Sequence, residues 1–206
     1  MAEITIQTTA DVDDVTIIHD QPTTNYNTLG EGIRIGERND ASTNNRALIK
    51  FDLSGIPSNA TIESAVLSIR ATTDKSSNAR TFSVYRVLRV WVDSQATWNV
   101  YSTGNNWGTA GCANTTTDRE ASNIGTRNFT ATETLNQFKD FTLTAAKIEE
   151  MINGTLTNNG FLIQSATESD DCYYFNSTED GTEENNPKLV ITYTVPSGGA
   201  FLFSMI

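Results

Sequence analysis

The chain has 206 residues, a formal charge of −11, a single histidine and two cysteines. A chain of that length can bury a sizeable core without covalent staples. Its acid excess excludes the basic stripe that nucleic acid or an anionic membrane surface needs. The abundance of Thr, Ser, Asn and Gly favours β-structure with long polar loops over a helical bundle.

The opening stretch "MAEITIQTTADVDD" has no basic leader and no apolar run, so no secretory signal is expected. Within it "EITIQT" reads as a strand, and "VTIIH" follows as a second. Asp11, Asp13 and Asp14 crowd the turn between them. Calcium takes roughly six to eight oxygens, often from such loops, so these three are the candidate calcium ligands. The alternative is a solvated acidic rim, since the glycine and closing glutamate of an EF-hand are missing. His19 stands beside Asp20. No nucleophile turn accompanies the pair, and the expectation is a chain that is not an enzyme.

Four further strands follow: "GIRIGE", "RALIKFDL", "TIESAVLSIRAT" and "TFSVYRVLRVW". In the third, Ile62, Ala65, Leu67 and Ile69 share a face only if one residue is slipped, which predicts a bulge. Residues 93–138 then lose periodicity and fill with turn formers, and so long an irregular stretch is usually functional or an interaction segment. Trp107 and Tyr101 lie there among Asn105 and Asn106. Aromatic faces for stacking and amides for hydroxyls suit a glycan contact, with core packing the competing reading for the tryptophans.

One helix is expected in "LTAAKIEEMINGT", where Ile148, Met151 and Ile152 make one apolar stripe. Thr142 or Thr144 can cap its start, and Gly154 sits where a left-handed residue ends a helix. The strands "GFLIQS", "CYYFNS" and "KLVITYTV" complete the pattern, separated by acidic loops holding Asp170, Asp171, Glu179, Asp180, Glu183 and Glu184. Cys112 and Cys172 could close a disulfide, which would contribute ~4 kcal/mol, or remain two buried thiols. Five Asn-X-Ser/Thr sequons, at Asn59, Asn114, Asn128, Asn153 and Asn176, are no more than the Asn, Ser and Thr content predicts.

Several stretches resemble the DNRLRE-type, disaggregatase-related family, which also includes carbohydrate-binding modules. The signature lies in Phe51, Asp52, Leu53, Ser54, Ile56 and Pro57, then Thr61, Ile62, Ala65 and Leu67. A second block is similar at Trp91, Ala96, Thr97, Trp98 and Asn99, with Trp107 and Gly111 beyond it, and a third in "NNGFLIQ", "YYFNSTED" and "NPKLVITY". The family's six-letter string is absent, and Asn25-Tyr26-Asn27 stands where Asn-Tyr-Gly is usual. The resemblance covers about residues 11 to 195. It implies an all-β jelly-roll sandwich, of a kind found in secreted polysaccharide-active proteins and in surface and phage structural proteins.

After Pro196, Ser197 and two glycines the chain turns apolar, with Phe201, Leu202, Phe203, Met205 and Ile206. That run is far short of the roughly 20 residues a membrane span needs. It is expected either as a last strand of its own domain or as an anchor in a partner. The division expected is therefore a domain over 1–195 and an apolar tail over 196–206. The function expected is a structural subunit of an extracellular assembly, such as a phage virion decoration, fibre or tail-associated protein. Its partners would be copies of itself or other assembly proteins, with host glycans as a further contact. A carbohydrate-binding module of a secreted protein is the alternative.

Overall fold

The computed structural model describes residues 1–27, 32–38, 43–75, 78–169 and 171–196. It is mostly β, with one short helix. In chain order the strands are β1 (Ala2–Ile6), β2 (Val12–Ile18), β3 (Ile33–Arg38), β4 (Thr43–Phe51), β5 (Thr61–Asp74), β6 (Arg80–Arg86), β7 (Val100–Ser102) and β8 (Asn105–Asn106). Then come β9 (Gly125–Phe129), β10 (Gln137–Leu143), α1 (Ala145–Ile152), β11 (Phe161–Ser165), β12 (Tyr173–Phe175) and β13 (Lys188–Thr194).

Eleven strands join one antiparallel sheet in the order β1-β13-β5-β10-β9-β6-β11-β4-β3-β12, with β2 on β4. β12 also pairs with β5, which closes the strands from β5 round to β12 into a ring. The long strand β5 makes that closure: its first part carries β13 and β10, and its end carries β12. The bulge expected in β5 is present, since Thr192 faces Ser64 while Tyr193 faces Ile62, leaving Glu63 as the extra residue. The slip turns Ala65, Leu67 and Ile69 into the same interior as Ile62.

Inside the ring, Phe82, Phe129, Phe141, Phe161, Tyr173 and Phe175 are fully buried. Phe82 and Phe129 stand 4.8 Å apart between ring centroids, and Tyr173 lies 5.0 Å from Phe129. Helix α1 closes one side with Ile148 and Met151, and Glu149 accepts the Ile62 amide at 2.9 Å. Thr144 is its N-cap by backbone only, because the hydroxyl donates to the Ile124 carbonyl instead. Gly154 has φ +81, the left-handed conformation expected just past the helix end.

Besides the short β7–β8 hairpin, two strands of the ring, β9 and β10, fall inside the stretch the sequence marks as irregular or at its edge. β10 alternates correctly, but an inward position is Lys139. Its ammonium is buried and held at 2.7 Å by Glu133, with Arg127 also on that carboxylate. A charged residue facing inward hides a strand from any reading based on apolar alternation.

Candidate functional site

After β6 the chain leaves the ring and lays residues 88–124 over the outer face of β2, β4, β6 and β11. That face is apolar, with Val15, Ile17, Leu48 and Leu162 all buried. β4 is consequently covered on both sides, and its "ALI" run is continuous rather than alternating. The covering layer contributes Trp91, Ala96, Trp98, Trp107 and Cys112, which with Val87 just before it form a second apolar cluster outside the ring.

Two of the tryptophans hydrogen-bond inward. Trp91 Nε1 donates to the Asn159 carbonyl at 2.7 Å and Trp107 Nε1 to the Thr97 carbonyl at 2.9 Å. Trp98 lies beneath the Arg46 guanidinium, 4.8 Å away, with His19 edge-on at 5.2 Å. Arg46 makes a bidentate pair with Glu168 at 2.6 and 2.9 Å and donates to the Gly111 carbonyl at 2.6 Å. Gly111 has φ +79, and a Cβ there would stand 2.7 Å from the Trp98 ring. Only glycine fits.

Asp118 organises the rest. Its carboxylate is fully buried and accepts the amides of Gly108 at 2.8 Å, Thr109 at 2.9 Å and Asn114 at 3.2 Å. Arg89 pairs with it at 3.0 Å. Burial pushes its pKa up, but the Thr109 and Gly108 amides and Arg89 outweigh this and hold it below the usual range. A loop with few ladder bonds thus finds its backbone acceptors in one side chain. The layer is tied to residues 20–27 as well: Asn25 donates to the carbonyls of Asp93 and Ala96, and Thr97 to that of Pro22.

The glycan residues read from the sequence are separated by this packing. Trp107 is only 4% exposed, so it is not a stacking platform; it is a core residue, as Trp91 and Trp98 are. Tyr101 is half-buried, against Trp107 at 5.5 Å and beneath Arg89 at 5.1 Å. Asn105 and Asn106 are exposed on the β7–β8 hairpin, turned by Gly104 at φ +78. Asn106 joins Thr23, Gln95, Asn99, Thr103 and Gly104 in lining a shallow groove of about 420 Å³. Gln95 and Thr23 were not legible as site residues, because loop folding alone brings them to Asn99 and Asn106.

The three aspartates do not converge. Strand alternation in β2 sends Asp13 and Asp14 to opposite faces. Asp13 pairs with Lys50 at 2.8 Å, and Asp11 accepts the Thr8 hydroxyl at 2.6 Å. Asp14 is buried and accepts the Thr178 amide at 2.9 Å, beside Glu179. Burial, reinforced by the Glu179 charge, pushes Asp14 up to about 7, and burial raises Glu179 as well. Among the described residues no three His, Cys, Asp or Glu side chains are grouped to hold a metal.

No disulfide joins Cys112 to Cys172. Both thiols are buried, Cys112 in the covering layer and Cys172 beside Asn45 at the start of β12. Burial pushes the Cys112 thiol far up. Asp171 braces the same region, accepting the Glu37 amide at 2.7 Å and the Ser165 and Thr167 hydroxyls. The apolar residues Phe201, Leu202, Phe203, Met205 and Ile206, like Asp170, lie outside the described residues.

A model of the disaggregatase-related repeat domain matches residues 14–191, which run from β2 into β13. The chain belongs to that family. The family's span takes in the ring and the whole covering layer, so the tryptophan block that first suggested the resemblance is part of this domain's packed interior. No curated protein matches the chain.

Proposed function

We propose that this disaggregatase-related domain is a non-enzymatic structural subunit of an extracellular assembly, of the kind built by bacteriophage virion decoration, fibre or tail-associated proteins. In this reading its partners are further copies of itself or other assembly proteins, and its place is a virion or an outer surface. The ring is then a jelly-roll sandwich, with β13-β5-β10 and β6-β11-β4 as facing layers joined where β5 bends to β12.

The observation that carries the reading is how the 88–124 layer uses its chemistry. Its three tryptophans are buried, and Asp118 and Arg89 satisfy each other. Arg86 and Glu120 pair likewise at 3.0 Å. Amides and hydroxyls remain outward, a surface for contact rather than for reaction. The test is light scattering on the chain with and without residues 197–206. The expected result is an oligomer for the full chain and a folded monomer for the shorter one. A full chain that stays monomeric at all concentrations overturns the assembly reading.

The groove at Asn106 favours a second reading, a carbohydrate-binding module of a secreted polysaccharide-active protein. An oligosaccharide that binds saturably and loses about tenfold in affinity with Asn106→Ala, the loss of one buried hydrogen bond, supports it. A glycan array without a binder removes it.

A further inference from the structure

The large sheet ends on β1, whose one ladder among the described residues runs to β13. That ladder is unbroken from Ala2 opposite Tyr193 to Ile6 opposite Leu189. Among the described residues no strand neighbours the other edge of β1, which presents its main-chain donors and acceptors there. Such edges are usually blunted by proline, lysine, a bulge or a covering segment. "AEITI" has none of the first three, and its one charge is Glu3. Ala2, Glu3 and Thr5 are exposed. Ile4 and Tyr193 are only partly buried at the rim of the interior cluster, so apolar surface accompanies the open backbone.

The same register fixes where the chain goes next. Tyr193 stands opposite Ala2, so the chain leaves β13 at the start of the open strand. Beyond Pro196 and two glycines come Ala200, Phe201, Leu202, Phe203, Ser204, Met205 and Ile206. Apolar residues alternate on both sides of such a segment, as in peptides that add a strand to a sheet edge.

We infer that residues 200–206 add as an antiparallel strand to the open edge of β1 in a second copy of the chain. This rests on the assembly reading and names the partner and the acceptor. Antiparallel pairing is the more stable sense. A copy's own segment, arriving at the Ala2 end, can meet β1 only in the parallel sense. To run antiparallel it has to begin beside Ile6, about 20 Å from Thr194 at strand steps of ~3.4 Å and strand spacings of ~4.8 Å. Residues 195–200 reach about that far only when fully stretched, with nothing left to make a turn. A second copy can enter from the Ile6 end without that constraint. In the complex Phe201, Phe203 and Met205 share one face, and that face continues the apolar rim at Ile4 and Tyr193.

The test is cross-copy disulfide formation. One preparation carries Glu3→Cys, and a second carries a cysteine at one position from 200 to 205, taken in turn. The native thiols do not interfere, because both are fully buried. A third preparation, Val90→Cys, corrects for chance collision, since Val90 is 71% exposed and distant in the chain from β1. The expected result is a mixed disulfide with Glu3→Cys at alternate tail positions, about tenfold above the Val90→Cys level, as a raised effective concentration requires. An oligomer that gives no Glu3→Cys disulfide overturns this inference and leaves the assembly reading standing. A monomer overturns both. A bond within one chain, seen in dilute double variants, places the segment on its own β1 and overturns the inference.

Discussion

The ring interior and the apolar cluster beneath the 88–124 layer are both buried, yet they reach that state by different means. Inside the ring, β ladders satisfy the backbone and leave side chains such as Phe82, Phe129 and Tyr173 to pack. In the layer, ladders are nearly absent, and the backbone is satisfied by turn and loop bonds such as Trp107 N–H to Asn99 and Gly111 N–H to Trp98, joined by Asp118, Arg46, Asn25 and two indole N–H groups. The lesson is that a loop can be as enclosed as a core when single polar side chains stand in for neighbouring strands. It is also less redundant, because one carboxylate serves several donors at once.

The sharpest way to break the contrast is at the two centres. Phe82→Ala removes the ring that meets Phe129, Tyr173 and Phe175, and should cost about 3–5 kcal/mol. Tryptophan fluorescence and far-UV circular dichroism should then report one shared transition in urea. Asp118→Ala strands three amides and the Arg89 guanidinium, for a loss of about 3 kcal/mol. Here the two probes should separate, with fluorescence changing at lower urea because Trp98 and Trp107 belong to the layer. Coincident transitions would mean that ring and layer unfold as one unit.

Two carboxyls sharpen the comparison through pH, with opposite signs. Asp14 has its pKa raised from 3.8 to about 7, so its burial destabilises the fold above pH 7 and ceases to do so as pH falls towards 4. Asp14→Asn should therefore stabilise the chain by about 1–3 kcal/mol at pH 8 and by nearly nothing at pH 4, read from urea midpoints. Glu133 is the reverse case. Burial opposes it, but Lys139, the Thr130 amide and Arg127 hold it at about 2. Its contribution is complete above pH 4.5 and is lost as pH falls towards 2. The smallest effect is expected at Asn105→Ala on the exposed hairpin, within about 0.5 kcal/mol by thermal unfolding, since its bonds are local.

Most of the ring was legible from the residues. The nine runs rich in β-branched and aromatic side chains are strands, the slip in β5 is a bulge at Glu63, and the Ile148–Met151 stripe is the buried face of α1. Periodicity carries that information because each of these elements faces one interior. β10 escaped because Lys139 takes an inward position. The layer escaped for a different reason. Arg46 and Glu168 are 122 residues apart, and nothing local marks either as the other's partner. Trp107 lies among Gly and Asn, as an exposed binding loop would place it, yet its indole points inward. Asp118 had one faint local sign, the "NTTTD" turn in which Asn114 accepts the Thr116 and Thr117 amides.

The two buried thiols give the molecule a pair of internal clocks. Cys112 sits in the layer and Cys172 at the ring, and both are sealed from solvent. An alkylating reagent can reach either one only while its surroundings are open, so each labelling rate reads an opening equilibrium. If the layer lifts while the ring stays shut, Cys112 is modified first and the rates diverge by the free-energy gap between the two openings. Without any added probe, the native chain can thus time the loosening of its outer covering against the unfolding of its centre.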